Sequence, residues 1–131
     1  MGAEVVTVST DTEFTHLAWQ RHEGELAQVK YPMGADVTGK LARQFGVYNE
    51  VTGLAHRGVF LIAPDGRLMA MEVTADNIGR NIDELMRKFK ASLHVARHPK
   101  KACPSKWRDE GDQTLEPSAK IVGRVHDALS G

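Results

Sequence analysis

The segment from Gly58 to Val73 constrains the fold of this chain more than any other part of its sequence. It places the apolar run GVFLIA before the turn residues PDG and the alternating stretch RLMAMEV after them. This pattern predicts a β-hairpin, because Asp and Gly readily adopt the conformations of a tight turn. Apolar residues then recur every three or four positions to about Arg97, and Asn81 with Glu84 resembles a capping box. We therefore expect an amphipathic helix that covers one face of the sheet.

Three shorter elements are predicted before this hairpin. The β-branched run at residues 3–8 predicts a strand, and the polar residues 9–12 supply N-cap candidates for a helix over residues 13–22. Pro and Gly bound a short extended piece at residues 31–35, and an apolar stripe predicts a second short helix that ends at Gly46. The order of elements indicates an α/β fold in which helices sandwich a mixed sheet.

The sequence changes character after Arg97. Residues 98–117 are polar and irregular, and residues 118–129 form one more amphipathic stretch. We therefore predict two regions, which are a core over residues 1–97 and a C-terminal arm over residues 98–131. The arm is expected to leave the core and dock elsewhere.

Composition excludes several classes of protein. A chain of 131 residues has the length of one compact core. Its 17 Lys and Arg balance 17 Asp and Glu, which argues against a nucleic-acid partner. No run approaches the roughly 18 apolar residues of a membrane span, so we expect no membrane partner, and the first residues predict no signal peptide. A single cysteine, Cys103, excludes an internal disulfide and suits a reducing, cytoplasmic compartment.

Four stretches of the chain are more specific than these patterns. They are VSTDTEFTHLAW at residues 8–19, KYPMGADVTGKLARQFGV at residues 30–47, HRGVFLIAPDGRLMAMEVTADNIGR at residues 56–80 and ACPSKW at residues 102–107. Together, and in this order, they resemble the typical 2-Cys peroxiredoxins, most closely the bacterial alkyl hydroperoxide reductase C type. The resemblance implies a thioredoxin-like three-layer sandwich and a thiol peroxidase that reduces hydrogen peroxide and organic hydroperoxides.

The resemblance also implies a role for Cys103. In that family a peroxidatic cysteine in a Pro-x-x-x-Thr-x-x-Cys motif attacks the peroxide and becomes a sulfenic acid. A resolving cysteine in the arm of the partner subunit then forms a disulfide, which an external flavoprotein disulfide reductase or thioredoxin-like donor reduces, so no bound cofactor is implied. Cys103 matches the resolving position. Lys100, Lys101 and Lys106 argue against the alternative of a buried free cysteine, and we expect them to favour the thiolate.

The peroxidatic motif does not occur in this sequence. The chain resembles the C-terminal two-thirds of a peroxiredoxin, without its N-terminal strands and peroxidatic helix, and we expect no peroxidase activity from this chain alone. We hypothesise that Met1 is not the biological start and that the peroxidatic residue, upstream, is cysteine or selenocysteine. Without the strand between residues 3–8 and 57–63, two rows of backbone groups lack partners, so we expect an oligomeric or marginally stable chain.

Two arginines take roles by the same resemblance. Arg57, just before GVFLIA, matches the arginine that faces the peroxidatic sulfur, lowers its pKa and polarises the peroxide. Arg80 matches a second arginine that supports this pocket, and without its carboxylate partner it would be an unpaired charge. The alternative for Arg57 is a solvated arginine at a strand edge.

Aromatic and polar residues match the contacts between subunits of that family. The first helix matches the dimer-to-dimer contact that closes a ring of homodimers, through Phe14, Thr15, His16 and Trp19. The alternative for these residues is plain helix packing. Trp107 is expected to pack the arm onto the partner subunit, or else to be a partly exposed aromatic residue in a loop.

Other functions are weighed against the peroxidase. His94, His98 and Cys103 lack a fourth zinc ligand and a closely spaced cysteine pair, so we predict no metal site. Two functions stay open beside the leading one. The chain is either a catalytically inactive subunit that assembles with full-length relatives through residues 14–19, or a single-thiol exchange partner whose Cys103 never meets peroxide.

Overall fold

The computed structural model describes residues 2–130. They form, in order, β1 (Thr7–Ser9), α1 (Glu13–His22), β2 (Met33–Ala35), α2 (Lys40–Gln44), β3 (Arg57–Ile62), β4 (Leu68–Thr74), α3 (Ile82–Arg97) and α4 (Val125–Ser130), with single 3-10 turns at Leu26–Gln28 and Ala119–Ile121. Two compact units divide the chain. The first comprises the residues up to Val59 together with Glu72–Ile78, and the second comprises Phe60–Met71 together with the residues from Gly79 onward.

The first unit contains a short parallel sheet. β1 and β2 pair with Thr7 opposite Met33. The predicted strand at residues 3–8 is therefore shorter and later than expected, because β2 offers a ladder of only three residues. The helix predicted over residues 13–22 is confirmed, and the Thr12 hydroxyl at its N-cap accepts a hydrogen bond from the Thr15 N–H at 3.3 Å.

Asp36 fixes the beginning of α2. Its carboxylate accepts hydrogen bonds from the N–H groups of Ala42 at 2.8 Å and Leu41 at 3.1 Å, and these bonds lower the pKa of Asp36. Gly39, just before the helix, has φ of +67°, and a Cβ there would lie 2.2 Å from the ring of Tyr48. This position therefore requires glycine.

β3 and β4 pair as the predicted hairpin. The Ala63 N–H donates to the Arg67 carbonyl at 2.8 Å, and Gly66 occupies the turn with φ of +84°. The predicted single mixed sheet is not formed by residues 2–130, which build two separate two-stranded sheets, β1 with β2 and β3 with β4. The reason is that no described strand joins β1 to β3 in a hydrogen-bonded ladder.

α3 confirms the predicted amphipathic helix, and the Asn81 side chain caps it by accepting a hydrogen bond from the Glu84 N–H at 3.0 Å. The predicted amphipathic stretch at residues 118–129 is not one continuous helix. It forms a 3-10 turn and the short α4, because Gly123 interrupts it with φ of +75°. None of the helices in residues 2–130 combines the length and the apolar character needed to cross a membrane.

Candidate functional site

The arm that follows α3 folds back on this helix within the second unit. Ala102 and Leu115 exchange two backbone hydrogen bonds, at 2.7 and 2.9 Å, and close the residues between them into a loop. Two ion pairs tie this loop to α3: Lys90 with Asp109, and Arg97 with Glu110. The expectation that the arm leaves the core and docks elsewhere is therefore wrong for these residues. The boundary between residues 97 and 98 stays a prediction.

Trp107 anchors this loop. Its side chain is 2% exposed, and its ring centroid lies 5.3 Å from that of His94 on α3. Its backbone N–H donates to the Pro104 carbonyl at 3.0 Å, whereas its indole N–H is buried without a hydrogen-bond partner among residues 2–130. The alternative of a partly exposed aromatic residue is wrong, and the surface that covers Trp107 belongs to its own chain.

Cys103 lies in the same loop as a half-buried free thiol. Burial raises the pKa of Cys103, and the positive charge of Arg87 opposes this rise. Lys100, Lys101 and Lys106 are all exposed. Cys103 is not buried in a core, as expected, but the expectation that these lysines favour its thiolate is wrong. Burial outweighs the nearby positive charge, and the cation that acts on the thiol comes from α3.

Arg87 is the residue of this site that the sequence analysis missed. Its Nε and Nη2 donate to the two carboxylate oxygens of Glu84 at 2.6 and 2.9 Å, and its Nη1 donates to the Trp107 carbonyl at 3.2 Å. The ion pair lowers the pKa of Glu84 and raises that of Arg87, so both are charged at neutral pH. Their three-residue spacing on a helix was visible in the sequence. Nothing in the sequence placed the Trp107 carbonyl beside them.

Arg57 begins β3 and is exposed. Its Nε donates to the Asp76 carbonyl at 2.8 Å, and the neighbouring His56 Nδ1 lies 3.4 Å from the Asp76 carboxylate. These contacts hold the start of β3 against the segment after β4 in the first unit. The role of Arg57 in a peroxide pocket stays a prediction.

Arg80 is also exposed, just before α3. It makes no hydrogen bond or ion pair with another residue of the described range 2–130. Its exposure leaves its guanidinium solvated. Its supporting role stays a prediction.

The surface of α1 carries exposed aromatic residues beside a shallow groove. Phe14 is 73% exposed and Trp19 is 38% exposed. The groove has a volume of about 390 Å³ and runs between the Phe14 face of α1 and residues 31–33. Thr15 is half-buried, with its hydroxyl 3.1 Å from that of Thr12. The interface role of Phe14, Thr15 and Trp19 stays a prediction.

His16 differs from these neighbours because it is 6% exposed. Its Nε2 lies 2.7 Å from the Ser9 hydroxyl, which donates to the Asp11 carboxylate at 2.8 Å. Its ring lies 5.3 Å from that of Trp19. His16 is thus packed within its own chain, and its interface role stays a prediction, like those of its neighbours on α1. The rings of His16 and Trp19 meet in the first unit, whereas Cys103 and Trp107 lie in one loop of the second.

Metal ligands were considered around the two histidines of α3. The rings of His94 and His98 lie with their centroids 4.6 Å apart and their planes tilted by 44°. Within residues 2–130, no group of three or more His, Cys, Asp or Glu side chains could hold a metal ion.

The chain is similar in sequence to known proteins over most of its length. Residues 1–71 match the AhpC/TSA family. Alkyl hydroperoxide reductase C of Salmonella typhimurium is 47% identical over 125 residues, which cover 95% of this chain and 66% of the relative. The protein of the same name from Escherichia coli K12 shows the same identity and coverage. The chain therefore spans 66% of the length of these curated relatives.

Solved structures show the same likeness. A crystal structure of Enterococcus faecalis AhpC aligns with a TM-score of 0.73 and 44% identity, covering 77% of this chain and 60% of that chain. A reduced 2-Cys peroxiredoxin from Plasmodium vivax aligns with a TM-score of 0.81 and 25% identity, covering 92% of this chain and 64% of that chain. The likeness confirms the predicted thioredoxin-like α/β fold class.

Proposed function

This chain belongs to the AhpC/TSA family, and we propose that it supplies the resolving part of a peroxiredoxin-type thiol peroxidase that reduces hydrogen peroxide and alkyl hydroperoxides. The observation that carries this proposal is the likeness over 125 residues to alkyl hydroperoxide reductase C, together with a lone cysteine in a folded, anchored loop. Cys103 is the only cysteine of the sequence, and we assign it the resolving role because it does not stand in a Pro-x-x-x-Thr-x-x-Cys motif.

The chemical step assigned to Cys103 is disulfide formation. Peroxide first oxidises a peroxidatic thiolate to a sulfenic acid, and water or an alcohol leaves. The Cys103 thiolate then attacks that sulfur, the S–O bond breaks, and the departing hydroxide takes a proton to form water. A disulfide reductase of the flavoprotein or thioredoxin-like class restores both thiols.

Arg57 is proposed as the pocket arginine of this reaction, with Arg80 in support. The hydrogen bond from Arg57 to the Asp76 carbonyl fixes one end of its guanidinium and leaves the Nη groups free to donate to an oxyanion. The assembly proposed for the working enzyme is a homodimer, and beyond it a ring of dimers, in a reducing cytoplasmic compartment.

A second candidate is an inactive subunit that assembles with full-length relatives. The exposed Phe14 and Trp19 beside the groove on α1 favour it, because a face of this kind is typical of an interaction surface. This function needs the α1 face and does not need Cys103.

One mixing experiment separates these functions. The partner is the Salmonella typhimurium relative carrying serine at its own resolving position, mixed with this chain or its Cys103→Ser variant and treated with one equivalent of hydrogen peroxide. Non-reducing electrophoresis and peptide mass spectrometry then identify any disulfide.

The resolving function predicts an intermolecular disulfide to Cys103 that is absent from the Cys103→Ser sample. The inactive-subunit function predicts equal co-assembly of both samples by native mass spectrometry, without a disulfide. A mixture with neither disulfide nor co-assembly overturns both. A disulfide that also forms with oxidised glutathione, in the absence of peroxide and relative, supports the single-thiol exchange partner instead.

A further inference from the structure

Arg87 connects the two sides of the α3 and arm contact. On α3 it is held by both carboxylate oxygens of Glu84, and across to the arm it donates to the Trp107 carbonyl. The Arg87 side chain as a whole is 25% exposed. A bidentate contact of this kind fixes the plane of a guanidinium as well as its position.

The loop to which Arg87 donates this hydrogen bond contains Cys103. The Trp107 N–H bonds back to the Pro104 carbonyl, and Ala102 is pinned to Leu115 on the other side of the cysteine. The backbone is thus hydrogen-bonded on both sides of Cys103, and the hydrogen bond from Arg87 to Trp107 joins this part of the loop to α3. The thiol is held where the charge of Arg87 acts on it.

We propose that Arg87 is a positioning residue that supports the thiolate of Cys103 while the arm is folded on α3. The proposal deepens the proposed function. A resolving cysteine reacts as its thiolate, so the importance of Arg87 for turnover rests on the resolving role proposed for Cys103. The ionisation of Cys103 can be measured on this chain without any peroxidase reaction.

The charges around the thiol explain why one residue has this effect. Burial raises the pKa of Cys103, and among the described residues Arg87 is the cation that opposes it. Glu84 both orients Arg87 and neutralises part of its charge. Lys90 and Arg97 also bind the arm, but their partners are Asp109 and Glu110, beyond Trp107 in the loop. Removing Arg87 and removing Glu84 should therefore move the ionisation of Cys103 in opposite directions.

The test measures the alkylation rate of Cys103 by iodoacetamide across the pH range, using intact-mass spectrometry on the full chain. For Arg87→Gln we expect the midpoint of the rate profile to move to higher pH and the rate at neutral pH to fall roughly threefold. For Glu84→Gln we expect a shift to lower pH, because Arg87 keeps its charge and its bond to Trp107. Arg87→Lys should stay close to the unsubstituted chain.

Arg97→Gln is the matched control, since it removes one cation and one arm contact without facing Cys103. Its midpoint should be unchanged. Hydrogen–deuterium exchange of residues 102–115 reports whether the arm stays folded in each variant. The proposal is overturned if the Arg87→Gln midpoint is unchanged or falls while the arm remains protected, or if Glu84→Gln moves it upward.

If Arg87→Gln lowers the hydrogen-exchange protection of the arm, the result of Glu84→Gln decides, because that variant keeps the bond from Arg87 to Trp107. These outcomes are independent of the proposed function. A missing disulfide in the mixing experiment, with the expected alkylation profile here, would refute the resolving role and leave the assignment of Arg87 intact.

Discussion

Two helices of this chain treat their aromatic neighbours in opposite ways. Beside α3, Trp107 is 2% exposed because the arm folds back and packs its ring against His94. On α1, Phe14 is 73% exposed and Trp19 is 38% exposed. Residues 2–130 therefore cover both of these side chains much less than they cover Trp107. The arm therefore completes the second unit internally, whereas the α1 face remains open to another molecule. Residue type alone does not distinguish the two cases.

The means of attachment differ as well. α1 is held by a buried polar contact, in which His16 meets the Ser9 hydroxyl at 2.7 Å. α3 holds the arm by burial of Trp107, by the hydrogen bond from Arg87 to the Trp107 carbonyl, and by two ion pairs on the surface, Lys90 with Asp109 and Arg97 with Glu110. Such surface pairs add little stability individually, so the indole should dominate.

The largest effect is expected from removing that indole. Trp107→Ala should lower the free energy of unfolding by about 3–5 kcal/mol, because it opens a cavity under the arm. Trp19→Ala is the matched control, and its loss should stay below about 1 kcal/mol because the ring is partly solvated. Urea unfolding followed by far-ultraviolet circular dichroism gives both values. Equal losses would show that the two regions do not differ.

A smaller loss is expected from the buried histidine. His16→Leu should lower the free energy of unfolding by about 1–2 kcal/mol, because it removes the part-buried contact between the His16 Nε2 and the Ser9 hydroxyl. Thr15→Ala on the same helix removes only an exposed hydroxyl contact and serves as the control. If His16→Leu melts at the same temperature as Thr15→Ala, α1 is held by something other than the contact with Ser9.

These two regions also show what sequence can and cannot predict. The hairpin and the α3 cap at Asn81 were predictable because their signals are local: turn chemistry, apolar period and an N-cap side chain. Burial of Trp107 was not, since its cover comes from residues such as Arg87, twenty positions away along the chain. The lysines beside Cys103 misled for the same reason: sequence neighbours of a loop residue need not be its neighbours in space.

The ionic part of the arm contact should respond to acid. The pKa of Asp109 in the arm is lowered chiefly by its hydrogen bond from Lys90 on α3. A lowered carboxyl pKa contributes stability that is present above the unfolded-state value and is lost as pH falls through the folded-state value. The arm should therefore loosen below about pH 4.

Fluorescence of Trp107 measures this loosening when Trp19 is replaced by Phe. We expect a red shift of the emission as the pH falls below the ordinary carboxyl range. Asp109→Asn in the same background should show a weaker pH dependence, because the titrating contact with Lys90 is already absent. An emission maximum that stays constant into strong acid would mean that burial of the indole alone holds the arm.

The smallest effect on stability, and the sharpest test of the open α1 face, is expected from Phe14→Gln. Because Phe14 is exposed, the substitution should change the free energy of unfolding by less than about 0.5 kcal/mol. If the face is an interaction surface, sedimentation velocity should nevertheless show weaker self-association. Val51→Gln is the matched control, since Val51 is an apolar side chain that is 95% exposed in a turn away from α1. Equal weakening by both variants would indicate general surface hydrophobicity, and no weakening by Phe14→Gln would remove the α1 face as an interface and leave its exposed rings without a partner.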